Sequence, residues 1–208
     1  MEVYIVGEDE ATRTIILRVL KYCNGITVLK ELPARGGQIK NDIPKYNQLS
    51  LSNPVILLMD LDNYSCAPEL LKSFKITKNS DFIFNIAIDE AEAWLMADRE
   101  NFAKYFQVNI DNIPKSSKTK MNGAHEVMEM CFPIKSSMYL TTKIIPSSRN
   151  QTFIAQMVPS NKAKKGKEYN TPVLPFIEKH WNIDNARRQS DSLNRMILRI
   201  EELKARYN

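Results

Sequence analysis

The chain has 208 residues, 43% of them hydrophobic and 25% charged, with six Gly and ten Pro, which suits one sizeable core and excludes a disordered or fibrous chain. No uninterrupted apolar run exceeds the five residues of Val55–Met59, far below the roughly 20 that a spanning helix needs. The net charge of +5 is uneven: residues 1–110 carry −3, residues 111–170 carry +6 and residues 171–208 carry +2, an arrangement that suits acids working on a polyanion held by a basic half.

The alternation in "VYIVGE" (3–8) predicts a strand close to the start, and "MEVYIVGEDE", lacking a basic stretch, argues against a secretory signal. "DEATRTIILRVLKY" places Ile15, Ile16, Val19 and Leu20 on one helical stripe. A short strand over 26–32, the loop "PARGG" and an irregular helix within 38–52 follow. "PVILLMD" (54–60) is almost wholly apolar, as a central strand covered on both faces should be. A short helix "APELLKSF", a buried strand over 81–88 and one helix over 89–106 complete the alternation of a mainly parallel α/β sheet. Residues 109–123 read as a polar, basic connection, "MYLTTKII" as one more strand and 159–170 as a lysine-rich loop. The remainder is helical, with Leu193, Ile197, Ile200 and Leu203 on one stripe of its last helix. We therefore expect an α/β core over 1–108 and a basic, mostly helical region over 109–208, packed as one domain or two. Cys23, Cys66 and Cys131 stand singly, which suits a reducing cytoplasm, and with only His125 and His180 they make no zinc motif.

Acids gather where the predicted strands end: Glu8, Asp60, Asp62 and the group Asp89–Glu92. In open α/β sheets that edge is where ligands bind. In an extended chain Asp60 and Asp62 share a face, and two carboxylates about 5 Å apart repel by roughly 3 kcal/mol at an effective dielectric near 20. With no Lys or Arg between Asn53 and Leu71, a hard divalent cation such as Mg²⁺, which takes carboxylates and substrate phosphate oxygens together, is the economical remedy. Plainer roles stand beside this one. Asp89 and Glu92 have capping-box spacing, Asp9 and Glu10 suit a first helical turn, Asp98 suits a second cap, and Trp94 suits the core.

A strand-end Glu in "VYIVGE" followed by "LLMDLD" resembles the TOPRIM (topoisomerase–primase) pattern. The line "LLMDLDNYSC … IFNIAIDEAEAWLMAD" is similar to small bacterial TOPRIM-like proteins related to the toprim parts of overcoming-lysogenization-defect (OLD) nucleases. The resemblance covers about residues 3–107 and, more loosely, the tail. It implies a TOPRIM-like fold and phosphodiester cleavage of DNA or RNA with Mg²⁺ or Mn²⁺. In it Asp60 and Asp62 hold the metal, Glu8 serves as general base or second-metal ligand, and Glu90 and Glu92 complete the site. It also implies an ABC-type ATPase partner in anti-phage defence. Gly7 precedes Glu8, and Asp9 and Glu10 follow it, whereas TOPRIM chains commonly carry Gly after the Glu; this leaves Glu8 or Glu10 as the functional acid. Arg149, Lys162, Lys164, Lys165 and Lys167 are candidate contacts to nucleic-acid phosphates. No Walker, dinucleotide or nucleophile-elbow motif occurs, so any ATP dependence comes from a partner. The alternative reading is a non-catalytic metal- or nucleotide-binding subunit that docks onto a partner.

Overall fold

The computed structural model describes residues 1–34, 38–121, 125–160, 163 and 165–207. Four strands, β1 (Glu2–Gly7), β2 (Thr27–Glu31), β3 (Val55–Asp60) and β4 (Phe82–Ala87), form a wholly parallel sheet in the order β2-β1-β3-β4. Helices α1 (Glu10–Cys23), α2 (Ile39–Leu49) and α3 (Ala67–Ser73) connect them. α4 (Ala91–Ala97) and α5 (Arg99–Phe106) follow β4. The chain is thus an α/β protein with helices flanking a parallel sheet. Among the described residues no helix is long and apolar enough to cross a membrane.

Strand alternation sorts the apolar residues into two layers. Ile56 and Leu58 join the cluster with α1, α4 and α5, while Leu57 and Met59 join the one with Ile39 and Ile43 of α2 and Leu70 of α3. Val55–Met59 is 0% exposed throughout, which accounts for the unbroken apolar run: β3 is covered on both faces and has no water-facing side. The first layer also takes in Val173, Trp181, Leu193, Ile197, Ile200 and Leu203, so the C-terminal helices α8 (Asn170–Pro175), α9 (Ile183–Arg187) and α10 (Asp191–Arg206) share a core with the sheet. Trp94 Nε1 donates to Ser192 Oγ (2.8 Å) and Trp181 Nε1 to the Trp94 carbonyl (3.2 Å). These bonds satisfy both buried indoles.

Three expected elements differ. The helix over 89–106 breaks at Asp98 (φ −85°, ψ 65°), whose buried carboxylate accepts from Asn101, the Asn182 N–H and Asn185; those bonds compete with the helix ladder. "MYLTTKII" is helical: α6 (Ser136–Tyr139) runs into a π-helical turn over Leu140–Ile144. Its β-branched composition misleads, because Thr141 and Thr142 bond back to the carbonyls of Ser137 (3.1 Å) and Met138 (2.7 Å) and Leu140 and Ile144 fill the core. The expected connection over 109–123 contains a strand, β5 (Ser116–Met121), which pairs antiparallel with β6 (His125–Met130) just beyond it. α7 (Gln151–Met157) completes the helices.

Gly7 explains the residue order before Glu8. A Cβ there would lie 2.7 Å from the Arg13 backbone nitrogen, because the end of β1 sits on the first turn of α1. That turn is held by a reciprocal box, Thr12 N–H to Asp9 Oδ1 (2.8 Å) and Asp9 N–H to Thr12 Oγ1 (2.9 Å). We expect Gly7→Ala to cost about 1–3 kcal/mol, read as a fall of several degrees in Tm.

Candidate functional site

β1, β3 and β4 lie side by side, so their C-terminal ends open on one edge of the sheet. Each delivers acid there: Glu8 follows β1, Asp60 closes β3 with Asp62 just beyond, and Asp89 and Glu90 follow β4, with Glu92 in the first turn of α4. An open cleft of about 560 Å³ is lined by Glu8, Asp60, Asp62, Glu90 and Glu92, with Asp9, Lys135, Ser137 and Lys165. Glu10 is exposed, accepts from Asn170 Nδ2 (2.9 Å) and is not among the residues lining the cleft. Of the two alternatives on α1's approach, Glu8 is the one at the cleft.

Asp60 and Asp62 share the cleft for a reason other than strand alternation. Asp62 lies past the strand in a left-handed turn, φ 56°, which Asp tolerates better than most residues. There its carboxylate meets Lys40 Nζ at 2.8 Å and Lys135 Nζ at 3.5 Å. Asp60 accepts the Ala91 N–H at 3.0 Å. Burial lifts the Asp60 carboxyl well above its usual range, and the charges of Glu92, Glu90 and Glu8 push it further. Acids from the neighbouring strand ends therefore repel Asp60. Burial also raises Glu8, with Asp62 and Asp9 adding to it and Lys40 and Lys135 opposing. Burial pushes Asp89 up to about 6 against the N–H of Ser136. Asp62 goes the other way: burial raises it, but Lys40 and then Lys135 outweigh that and hold it below its ordinary value.

The fold supplies the cations that the local sequence lacks, and this corrects the inference from their absence. Lys165 Nζ lies 2.6 Å from Glu92 Oε1 and 3.6 Å from Asp9 Oδ2, 4.7 Å from the centre of the Tyr169 ring. The Tyr169 hydroxyl donates to the same Glu92 oxygen (3.1 Å). Burial would lower the Lys165 ammonium, but Glu92 and Asp9 outweigh it and keep it firmly charged. Lys135 Nζ stands 3.7 Å from Glu90 Oε1, and the Ser137 N–H donates to Glu90 Oε2 (2.8 Å). Six acids nevertheless line the cleft against two lysines; with Lys40 on Asp62 the cations still fall short. Among the described residues no three His, Cys, Asp or Glu side chains stand as a ready metal shell.

Removing Lys165 leaves Glu92, whose side chain is 6% exposed, without its cation. We expect Lys165→Met to cost about 2–3 kcal/mol, less than a fully buried pair because Lys165 is partly exposed. This corresponds to a fall in Tm of roughly 5–10 °C, most of it recovered in Lys165→Met/Glu92→Leu. An unchanged Tm in the single variant would show that this pair does not hold its loop.

Other candidates separate. Lys165, expected on a phosphate-binding surface, points into the acid cleft. Lys167 and Arg149 are exposed, and Arg149 borders a different hollow with Lys104 and Gln107; Lys162 and Lys164 lie outside the described residues. Asp89 takes φ 72° and accepts the Ser136 N–H (2.9 Å), and Glu92 pairs with Lys165, so the two do not form the capping box their spacing suggests. Trp94 is core, 0% exposed. Sequence reasoning missed Lys40, Lys135, Ser137 and Tyr169, none of which sits in a recognisable motif. No family model matches the chain, and no curated protein or solved structure matches it either.

Proposed function

We propose that the chain is a divalent-cation-dependent nuclease of TOPRIM type, cleaving phosphodiester bonds of DNA or RNA beside an ABC-type ATPase partner in anti-phage defence. The observation that carries this reading is the delivery, by three adjacent parallel strand ends, of Glu8, Asp60, Asp62, Glu90 and Glu92 into one open cleft. The donors fit Mg²⁺ or Mn²⁺: all are hard oxygens, and their charge exceeds that of the lysines among them. Asp60, Asp62 and Glu92 would hold the cation, and Glu8 stands beside them as the base. When bound, it supplies Lewis-acid stabilisation of the scissile phosphate and a more acidic water.

The chain's own groups account for the remaining chemistry. The raised Glu8 carboxylate accepts the proton of the attacking water as its oxygen bonds to phosphorus and the P–O bond to the leaving strand breaks, the leaving oxygen taking a proton from solvent. Lys135, about one-third exposed at the cleft, neutralises phosphate oxygens. The ATPase partner and the defence setting rest on the sequence resemblance.

One observation favours a second reading, a non-catalytic docking subunit: Lys135 and Lys165 already neutralise Glu90, Asp62 and Glu92. Plasmid and RNA cleavage with Mg²⁺, Mn²⁺ or EDTA, alone and with a co-purified ATPase, separates the two. Cutting that needs the cation supports the enzyme; none under any condition supports the subunit.

A further inference from the structure

The acid cleft, with six acids against Lys135 and Lys165, repels phosphate until a cation fills it. A strand held there needs cations outside it as well. Of the expected contacts, Lys165 is turned into the cleft and Arg149 borders a small separate hollow. A larger hollow, of about 390 Å³, supplies three others. It lies where the break between α4 and α5, the foot of the β5–β6 hairpin and the end of α9 meet, and these bring it Arg99, Lys115 and Arg188 respectively.

None of the three stands in an ion pair among the described residues. Arg99 is anchored: its Nε donates to the Ile113 carbonyl (3.1 Å) and its Nη2 to those of Ile110 (2.8 Å) and Ile113 (3.0 Å). Its Nη1 makes no such bond among the described residues, so a fixed guanidinium keeps one edge for a ligand. Lys115 and Arg188 are exposed. Gln189 accepts from Ser116 Oγ, which leaves its Nε2 as a further donor. Two acids share the lining. Asp98 is buried, and its oxygens are taken up by Asn101, Asn185 and the Asn182 N–H. Glu100 is exposed.

An anchored guanidinium, two free cations and an amide donor around an open hollow suit a doubly oxygenated anion. We propose that this hollow is a phosphate anchor for a nucleic-acid strand, with Arg99, Lys115 and Arg188 meeting its backbone oxygens. No aromatic ring is among its lining residues, so it holds backbone without stacking bases. α4 leads from Glu92 in the cleft to Asp98 and Arg99 at the hollow, about 10 Å along its axis. That helix is buried throughout, so a strand held at both places follows the surface around it. The choice of a strand as ligand rests on the nuclease reading; a free phosphate ester carries the same group and is the alternative source.

The test is equilibrium binding to the full chain, in EDTA so that no cutting intervenes, of a thymidylate strand of about 20 nucleotides, its uridylate counterpart and pyrophosphate. At least one strand should bind at least tenfold tighter than pyrophosphate. Lys115→Ala/Arg188→Ala should weaken that strand about tenfold with Tm unchanged, both positions being exposed. It should also flatten the slope of log K against log salt by about 1.4, two contacts at about 0.7 each. Glu100→Gln should tighten binding about twofold by removing the acid beside the phosphate, and Lys104→Ala/Arg149→Ala, at the other hollow, should stay within about twofold of wild type. Absent strand binding, full affinity in the first double variant, an equal loss in the second, or pyrophosphate bound as tightly as a strand overturns the anchor. Cleavage assayed in parallel separates this from the nuclease reading. Cutting by a Lys115→Ala/Arg188→Ala variant with wild-type strand affinity overturns the anchor alone, and affinity lost in that variant upholds the anchor even where nothing is cut.

Discussion

Asp60→Asn is expected to abolish cation-dependent strand cleavage, because the cation loses a charged ligand, while leaving Tm unchanged or higher. The two effects share one cause. Asp60 ends the central strand among Glu92, Glu90 and Glu8, and burial together with those charges raises its pKa, so its ionised form destabilises the folded chain at neutral pH. Asn removes that charge and keeps an oxygen to accept the Ala91 N–H. A side chain that costs stability where it stands is the pattern of a residue kept for chemistry. Asp62→Asn gives the contrast, because Asp62 is held by Lys40 and Lys135; it should lose activity and about 1 kcal/mol or less of stability, the scale of a partly exposed pair. Cleavage and thermal unfolding of both variants are the measurements. Wild-type cutting by Asp60→Asn would end the nuclease reading.

Mg²⁺ or Mn²⁺ should raise Tm relative to EDTA, and more so as pH rises. A ligand at a hundredfold excess over its Kd stabilises by about 2.7 kcal/mol, or roughly 5–10 °C for a chain of this size. The sign with pH follows from the raised carboxyls. Asp89 sits at about 6 against an ordinary 3.8, and Asp60 and Glu8 are also raised. The Asp89 contribution to stability is full below the ordinary carboxylate range and is lost as pH climbs through about 6, and those of Asp60 and Glu8 likewise fall as pH rises past that range, because the folded state holds protons that the unfolded state has released. A cation competes with the protons on Asp60 and Glu8, so the gap between the curves with cation and with EDTA should widen as pH rises. Asp60→Asn should narrow it at every pH. Superimposed curves across the whole range would show that the lysines alone balance the cleft.

The local pattern of the chain determined the parallel α/β core. The apolar run of β3 and the helical stripes of α1 and α10 need only neighbouring residues to be read, since period and burial are written into consecutive side chains. It also placed Glu8, Asp60, Asp62 and Glu90 at strand ends, because where a strand stops is itself a local property. Tertiary structure alone decided how those acids are balanced. Lys135 meets Asp62 across 73 positions, Ser137 meets Glu90 across 47 and Tyr169 meets Glu92 across 77, and no spacing rule spans such separations. It also decided where the chain bends. Asp98 ends a helix because Asn182 and Asn185 reach its carboxylate from α9's first turn, and "MYLTTKII" is helical because its apolar side fills the core. β-branched residues state a preference; burial against distant helices overrides it when the apolar area gained is larger.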